Sequence, residues 1–158
     1  MAVSPTHTGW RYEPADSRLS FYYRGTRIGH ISSSQMVMAA GDVAVAAGTL
    51  DVQDGGTVTQ ASNKSTGVTL STNSGQITMN GAALAAAAEV SFTVTNTEVA
   101  ATDVVIVNHG SAGTAGAYLV GVSTVASGSF AVTVANLSTG ALSEAIVINF
   151  VLIKGASS

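Results

Sequence analysis

The sequence predicts an all-β fold, an antiparallel β-sandwich or jelly roll of about eight strands behind an extended N-terminal arm. Three observations carry this reading. From Thr57 onward, short runs rich in Val, Ile, Thr and Phe alternate apolar with polar residues, the period of a half-buried strand. Clusters of Asn, Ser, Thr and Gly break those runs at short intervals, as tight turns require. The composition also shifts: residues 1–30 hold four of the six Lys and Arg and five of the nine aromatics.

That first stretch, residues 1–30, reads as a docking arm. Pro5, Gly9 and Pro14 punctuate it, no 3.6-residue period runs through it, and it is too short to enclose a core. Its candidate partner-binding residues are Trp10, Arg11, Tyr12, Arg18, Phe21, Tyr22, Tyr23, Arg24 and Arg27. Tyr, Trp and Arg dominate interface hot spots because they bury large areas at small rotamer cost, and Arg adds fixed hydrogen bonds. Packing of Phe21, Tyr22 and Tyr23 on the chain's own body and docking on a neighbour both fit this composition.

Residues 31–56 form a connector with short strands, at Gln35–Met38 and Asp42–Ala46, interrupted by Gly41, Gly48, Gly55 and Gly56. An Ala-rich helix over Met38–Gly48 is disfavoured by its glycines and valines. Residues 57–158 form the sandwich domain. Its strands are expected at Thr57–Gln60, Gly67–Ser71, Gly75–Met79, Glu89–Asn96, Val104–Asn108, Tyr118–Val125, Ser129–Leu137 and Ala145–Lys154. Val90, Phe92 and Val94 point inward, as do Phe130, Val132 and Val134. The continuous apolar run at Val104–Asn108 suits a central strand. Gly81–Glu89 has enough alanine for about two helical turns, marginal at that length, and is read as a crossover anchored by Leu84.

Phe92, Phe130 and Phe150, from three strands, are expected to mark one compact core. The last strand carries Ile146, Ile148, Phe150 and Leu152 on one face and Val147, Val151 and Ile153 on the other. It is expected to be covered on both sides, by the arm or by another subunit, with a homotrimer as the expected assembly.

Charge and composition exclude several function classes. A net charge of -3 with only six cations argues against nucleic-acid binding, which needs a clustered basic surface. The longest apolar run, Ala145–Ile153, is far below the roughly 20 residues of a membrane helix, so no membrane partner is expected. The N-terminus lacks a basic head followed by an apolar stretch, which predicts use in the cytoplasm or exit by a non-secretory route. Without Cys, thiolate chemistry is absent.

No catalytic constellation stands out. His7, His30 and His109 are far apart in sequence, and none has a ligand partner at i+2 or i+4. Asp51 and Asp54 precede a Gly-Gly turn rather than a calcium loop. Gly-x-Ser-x-Gly, phosphate-loop and dinucleotide fingerprints are missing, and the glycine-rich stretch His109–Gly116 lacks a following helix and lysine. The sequons at Asn63 and Asn136 are expected by chance in a chain so rich in Ser and Thr. A carbohydrate-active enzyme needs a carboxylate pair in a cleft, for which no candidate exists. The reading is therefore non-enzymatic, with no cofactor and no metal.

The blocks Gly56–Ala61, Lys64–Leu70 and Ser74–Met79 resemble a module of tailed-bacteriophage virion proteins. Ala82–Leu84, Val90–Asn96, Ala101–Val105 and Leu142–Phe150 continue the resemblance, which runs from Gly56 to Gly155. It implies a capsid- or fibre-associated structural protein without catalytic residues. The first expectation is a capsid decoration, or cement, protein: synthesised in the host cytoplasm, commonly trimeric, and bound to the major capsid protein on the outer surface of the virion head. The alternative is a head or tail fibre, or a receptor-binding module. The arm lies outside the matching blocks, so its role rests on composition.

Overall fold

The computed structural model describes residues 8–33, 36–38 and 55–155. The chain divides into two compact units, Met1–Leu50 and Asp51–Ser158. Apart from a 3-10 turn at Pro14–Asp16, every regular element among the described residues is a strand, and the strands form three four-stranded sheets. The expected pieces at Gln35 and Asp42–Ala46, the residues Asp51 and Asp54, and His7 lie outside the described residues.

The N-terminal unit is a sheet, which corrects the expected extended arm. Strands β1 (Gly9–Glu13), β2 (Arg18–Tyr23), β3 (Thr26–Ile31) and β4 (Met36–Met38) run in chain order as an antiparallel meander. The cause is a period-two pattern: Trp10 and Tyr12, then Leu19, Phe21 and Tyr23, alternate with Arg11, Ser20 and Tyr22. Arg24 and Gly25 close the β2–β3 hairpin with φ of 47° and 76°. Left-handed φ at both turn residues matches the right-handed twist of the strands, and glycine takes the second position without steric cost.

The C-terminal unit holds eight strands: β5 (Gly55–Thr59), β6 (Val68–Thr69), β7 (Ser74–Thr78), β8 (Glu89–Thr95), β9 (Val104–Ser111), β10 (Tyr118–Ala126), β11 (Ser129–Asn136) and β12 (Val147–Ile153). Their sheets are ordered β10-β11-β8-β6 and β5-β7-β12-β9. Both are mixed, not antiparallel as expected, because β5 pairs with β7 and β6 with β8 in parallel. The connection over residues 60–73 is long enough to bring the chain back in the same direction, which a tight hairpin cannot do. β9 is an edge strand rather than the expected central one. Its register shifts around Gly110, where His109 pairs with Ile148 and Ser111 with Val147, and such a bulge blunts an edge against further pairing.

Both sheets contribute to one core. Val94, Phe130, Val132 and Val134 of one sheet and Ile77, Ile148 and Phe150 of the other are almost fully buried. The Phe130 and Phe150 rings are 5.4 Å apart, and Phe92 is buried in the same cluster. Phe150 lies in register with Gly75, where an added Cβ would come within 2.9 Å of the Phe150 ring. Glycine here makes room for the ring. Leu84 is buried and pairs with Leu142 through an isolated bridge, and residues 79–88 cross from one sheet to the other without a helix.

β12 sits in the middle of its sheet, with Ile148, Phe150 and Leu152 in the core. On its second face Val147 and Val151 are half-buried, and Ile153 is about half exposed beside Val104 and Ile106 of β9. No helix among the described residues is long and apolar enough to cross a membrane.

Candidate functional site

Eight of the nine candidate docking residues lie in β1–β3, and Arg24 in the turn between β2 and β3. Strand alternation sorts the eight onto two faces of opposite character. On one, Trp10, Tyr12, Phe21 and Tyr23 join Leu19, Ile31, Met36 and Met38. On the other, Arg11, Arg18, Tyr22 and Arg27 join Glu13 and Ser20.

The apolar face is exposed. Trp10 is 63% accessible, Tyr12 62%, Tyr23 54% and Met36 63%. The Trp10 ring meets Phe21 edge-on, with centroids 4.1 Å apart. Phe21, Ile28, Gly29, Met36 and Met38 line a wholly apolar pocket of about 230 Å³. Arg24 sits at the margin, its guanidinium 5.4 Å from the Tyr23 ring centroid.

The polar face is organised around Glu13, a residue that the basic-aromatic pattern does not flag. Its carboxylate accepts hydrogen bonds from Arg18 Nε at 2.6 Å, Ser20 Oγ at 2.8 Å and Tyr22 Oη at 2.5 Å. Arg18 Nη2 also pairs with Asp16 at 2.8 Å. The bonds from Tyr22, Arg18 and Ser20, in that order, hold the Glu13 carboxyl down at about 2, against its usual 4.5. The bond to Glu13 raises both the Tyr22 phenol and the Arg18 guanidinium. Arg18 and Tyr22 are thus committed to the sheet's own network. Arg11 and Arg27 flank Tyr22 closely enough to act on its phenol. A register signal was present in the sequence: Glu13 and Arg18 flank the β1–β2 turn and pair directly.

In the C-terminal unit the polar groups fasten loops. Lys64, in the turn at residues 64–65, is buried and donates from Nζ to the carbonyls of Asn80 at 2.7 Å and Glu144 at 2.6 Å. Burial lowers its ammonium pKa, and the Glu144 charge opposes that shift. Asn136 is fully buried, and its side chain bonds the carbonyls of Leu84, Ala85 and Gly140 and the amide of Ser138. A buried clamp cannot accept a glycan, so its sequon is structural. His109 Nε2 lies 2.7 Å from the Ala112 carbonyl within its own turn. Asp103 accepts from the amides of Ala100 and Gly155 and from Lys154.

Among the described residues no three His, Asp or Glu side chains gather as a metal site would require. A shallow groove on the outer face of the β5-β7-β12-β9 sheet is lined by Thr57, Ser74, Gln76 and Asn149. Gln76 Nε2 donates to Asn149 Oδ1 at 3.1 Å, and Asn108 pairs with Asn149 across the sheet. Set against protein-family models, curated proteins and solved structures, the chain matches none.

Proposed function

We propose that this chain is a non-enzymatic structural component of a tailed-bacteriophage virion, a capsid decoration protein whose N-terminal sheet docks on the major capsid protein. Its C-terminal unit acts as a jelly-roll-like sandwich scaffold on the outer surface of the head. The reading is supported by the resemblance that runs from Gly56 to Gly155 and, above all, by one observation. The adhesive residue types are concentrated on a separate small unit and sorted there into an arginine-bearing face and an aromatic face.

On this reading Arg27 and the exposed Arg24 meet acidic groups of the shell, where ion pairs set orientation and association rate. A full-length Arg24→Glu, Arg27→Glu variant should fail to co-sediment with purified heads, and wild-type binding should weaken as salt rises. Undiminished co-sedimentation of the variant would refute the assignment. A head or tail fibre module is the second reading, favoured by the amide row Gln76, Asn149 and Asn108, whose groups match sugar hydroxyls. Copy number separates the two: hundreds per particle indicate a shell component, tens at most a tail or vertex one.

A further inference from the structure

The aromatic face of the N-terminal sheet is a single layer, and a sheet with one apolar face reaches a stable arrangement by burying it against another layer. Its size separates it from ordinary surface. Trp10, Tyr12 and Tyr23 are more than half exposed, and Ile28, Ile31, Met36 and Met38 are between a third and two thirds exposed. With aromatic side chains of roughly 150–250 Å² and slightly smaller aliphatic ones, the open apolar area comes to roughly 600 Å². That reaches the upper end of the largest patch on a typical monomer and approaches the roughly 800 Å² that each partner gives a stable interface. The open patch at Val104, Ile106 and Ile153 has three such residues and falls well short.

The register of the sheet specifies what fits this face. Trp10 pairs with Phe21, Phe21 with Gly29, and Gly29 with Met38, so these four residues form one row across the strands. The next row is Tyr12, Leu19, Ile31 and Met36. Reversing each row on a second sheet lays Trp against Met, Phe against Gly and Leu against Ile. Large side chains then face small or flexible ones: the Phe21 ring faces the apolar pocket beside Gly29, and the methionine sulfurs meet aromatic rings. A twofold axis parallel to the strands, between two facing sheets, performs this reversal. Arg11, Arg18, Glu13 and Arg27 lie on the opposite face, so the pairing buries none of these charges.

We infer that the chain self-associates through this face, two N-terminal sheets stacking about such a twofold axis at the roughly 10 Å spacing of packed sheets. The pairing stands independently of the virion reading. It also differs from the trimer that composition alone suggested.

Trp10 is the only tryptophan in the chain and lies on the proposed interface, so its emission reports pairing directly. The full-length protein should sediment at twice 15.8 kDa and show Trp10 emission that shifts to shorter wavelength as concentration rises. Ile31→Lys should move the dimerisation midpoint upward at least tenfold and leave the far-UV circular dichroism unchanged. Met36→Lys, at a more exposed edge position, should do the same should Ile31→Lys misfold, whereas Ile106→Lys on the C-terminal unit should leave the dimer intact. A monomer at about 100 µM, well above the micromolar end for interfaces of standard size, would overturn the pairing and leave the face to a different partner. A trimer, or a dimer that survives both lysine variants, would overturn it equally.

Discussion

Replacing Asn136 with alanine tests how the C-terminal unit holds its crossover. The amide nitrogen of Asn136 donates to Leu84 and Ala85 carbonyls at 3.0 Å each and to Gly140 at 2.8 Å, and its oxygen accepts from Ser138 N at 2.9 Å and Ser138 Oγ at 2.7 Å. Not every acceptor is orphaned by the change. The Leu84 carbonyl keeps the Leu142 amide at 3.0 Å, Ala85 keeps Ala88 at 3.2 Å, and Gly140 keeps the Ser138 hydroxyl at 2.9 Å. The loss is therefore three or four net hydrogen bonds at about 1 kcal/mol each, or about 3–4 kcal/mol. That is a large share of the roughly 5–15 kcal/mol of a typical domain and corresponds to a fall of roughly 15 °C in Tm. Urea unfolding should be followed by far-UV circular dichroism, because Trp10 belongs to the N-terminal unit and does not report on this one. A midpoint change worth less than about 1 kcal/mol at constant m would show that backbone pairing, including Asn136 N to Ala88 O at 2.9 Å, holds the crossover unaided.

Two further outcomes follow from the same geometry. The N-terminal sheet should lose stability on acidification: the folded Glu13 pKa of about 2 lies below its usual 4.5, so the stabilisation is complete above about 4.5 and is lost as pH falls through 2. Denaturation followed by Trp10 fluorescence between pH 6 and pH 2 (about four units) should show this slope in the wild type. A Glu13→Gln variant should flatten it, and an unchanged slope would remove Glu13 as the cause. Gly75→Val forces a side chain against Phe150, Leu70 and the Gly56 carbonyl, each within 2.9 Å of the first added carbon. It should cost about 1–3 kcal/mol or more in thermal unfolding, and a neutral result would mean that β7 can shift away from the core.

The inward faces of the strands were legible from the residues alone. Val90, Phe92 and Val94 alternate with Ser91, Thr93 and Thr95, and a strand's side chains point to opposite sides at every step, so no distant partner is needed to orient them. The same rule applied to Trp10, Tyr12, Leu19, Phe21 and Tyr23, but the basic and aromatic composition of that stretch masked its alternation. Leu84 as an anchor was legible too, as one large apolar residue in an alanine tract.

Strand order and direction were decided only by the tertiary structure. A period of two is the same whether a neighbour runs parallel or antiparallel, so nothing local in Thr57–Thr59 announces that β5 lies parallel to β7, or in Val104–Val107 that β9 takes an edge. Burial of Lys64 and Asn136, and the bonds gathered on Glu13, depended likewise on groups brought together by the fold, in the case of Lys64 on a carbonyl at Glu144. Local sequence sets which way a side chain points along its own strand. What it points at is fixed by long-range packing, where the free energy of excluding water and pairing buried polar groups is summed over the whole unit.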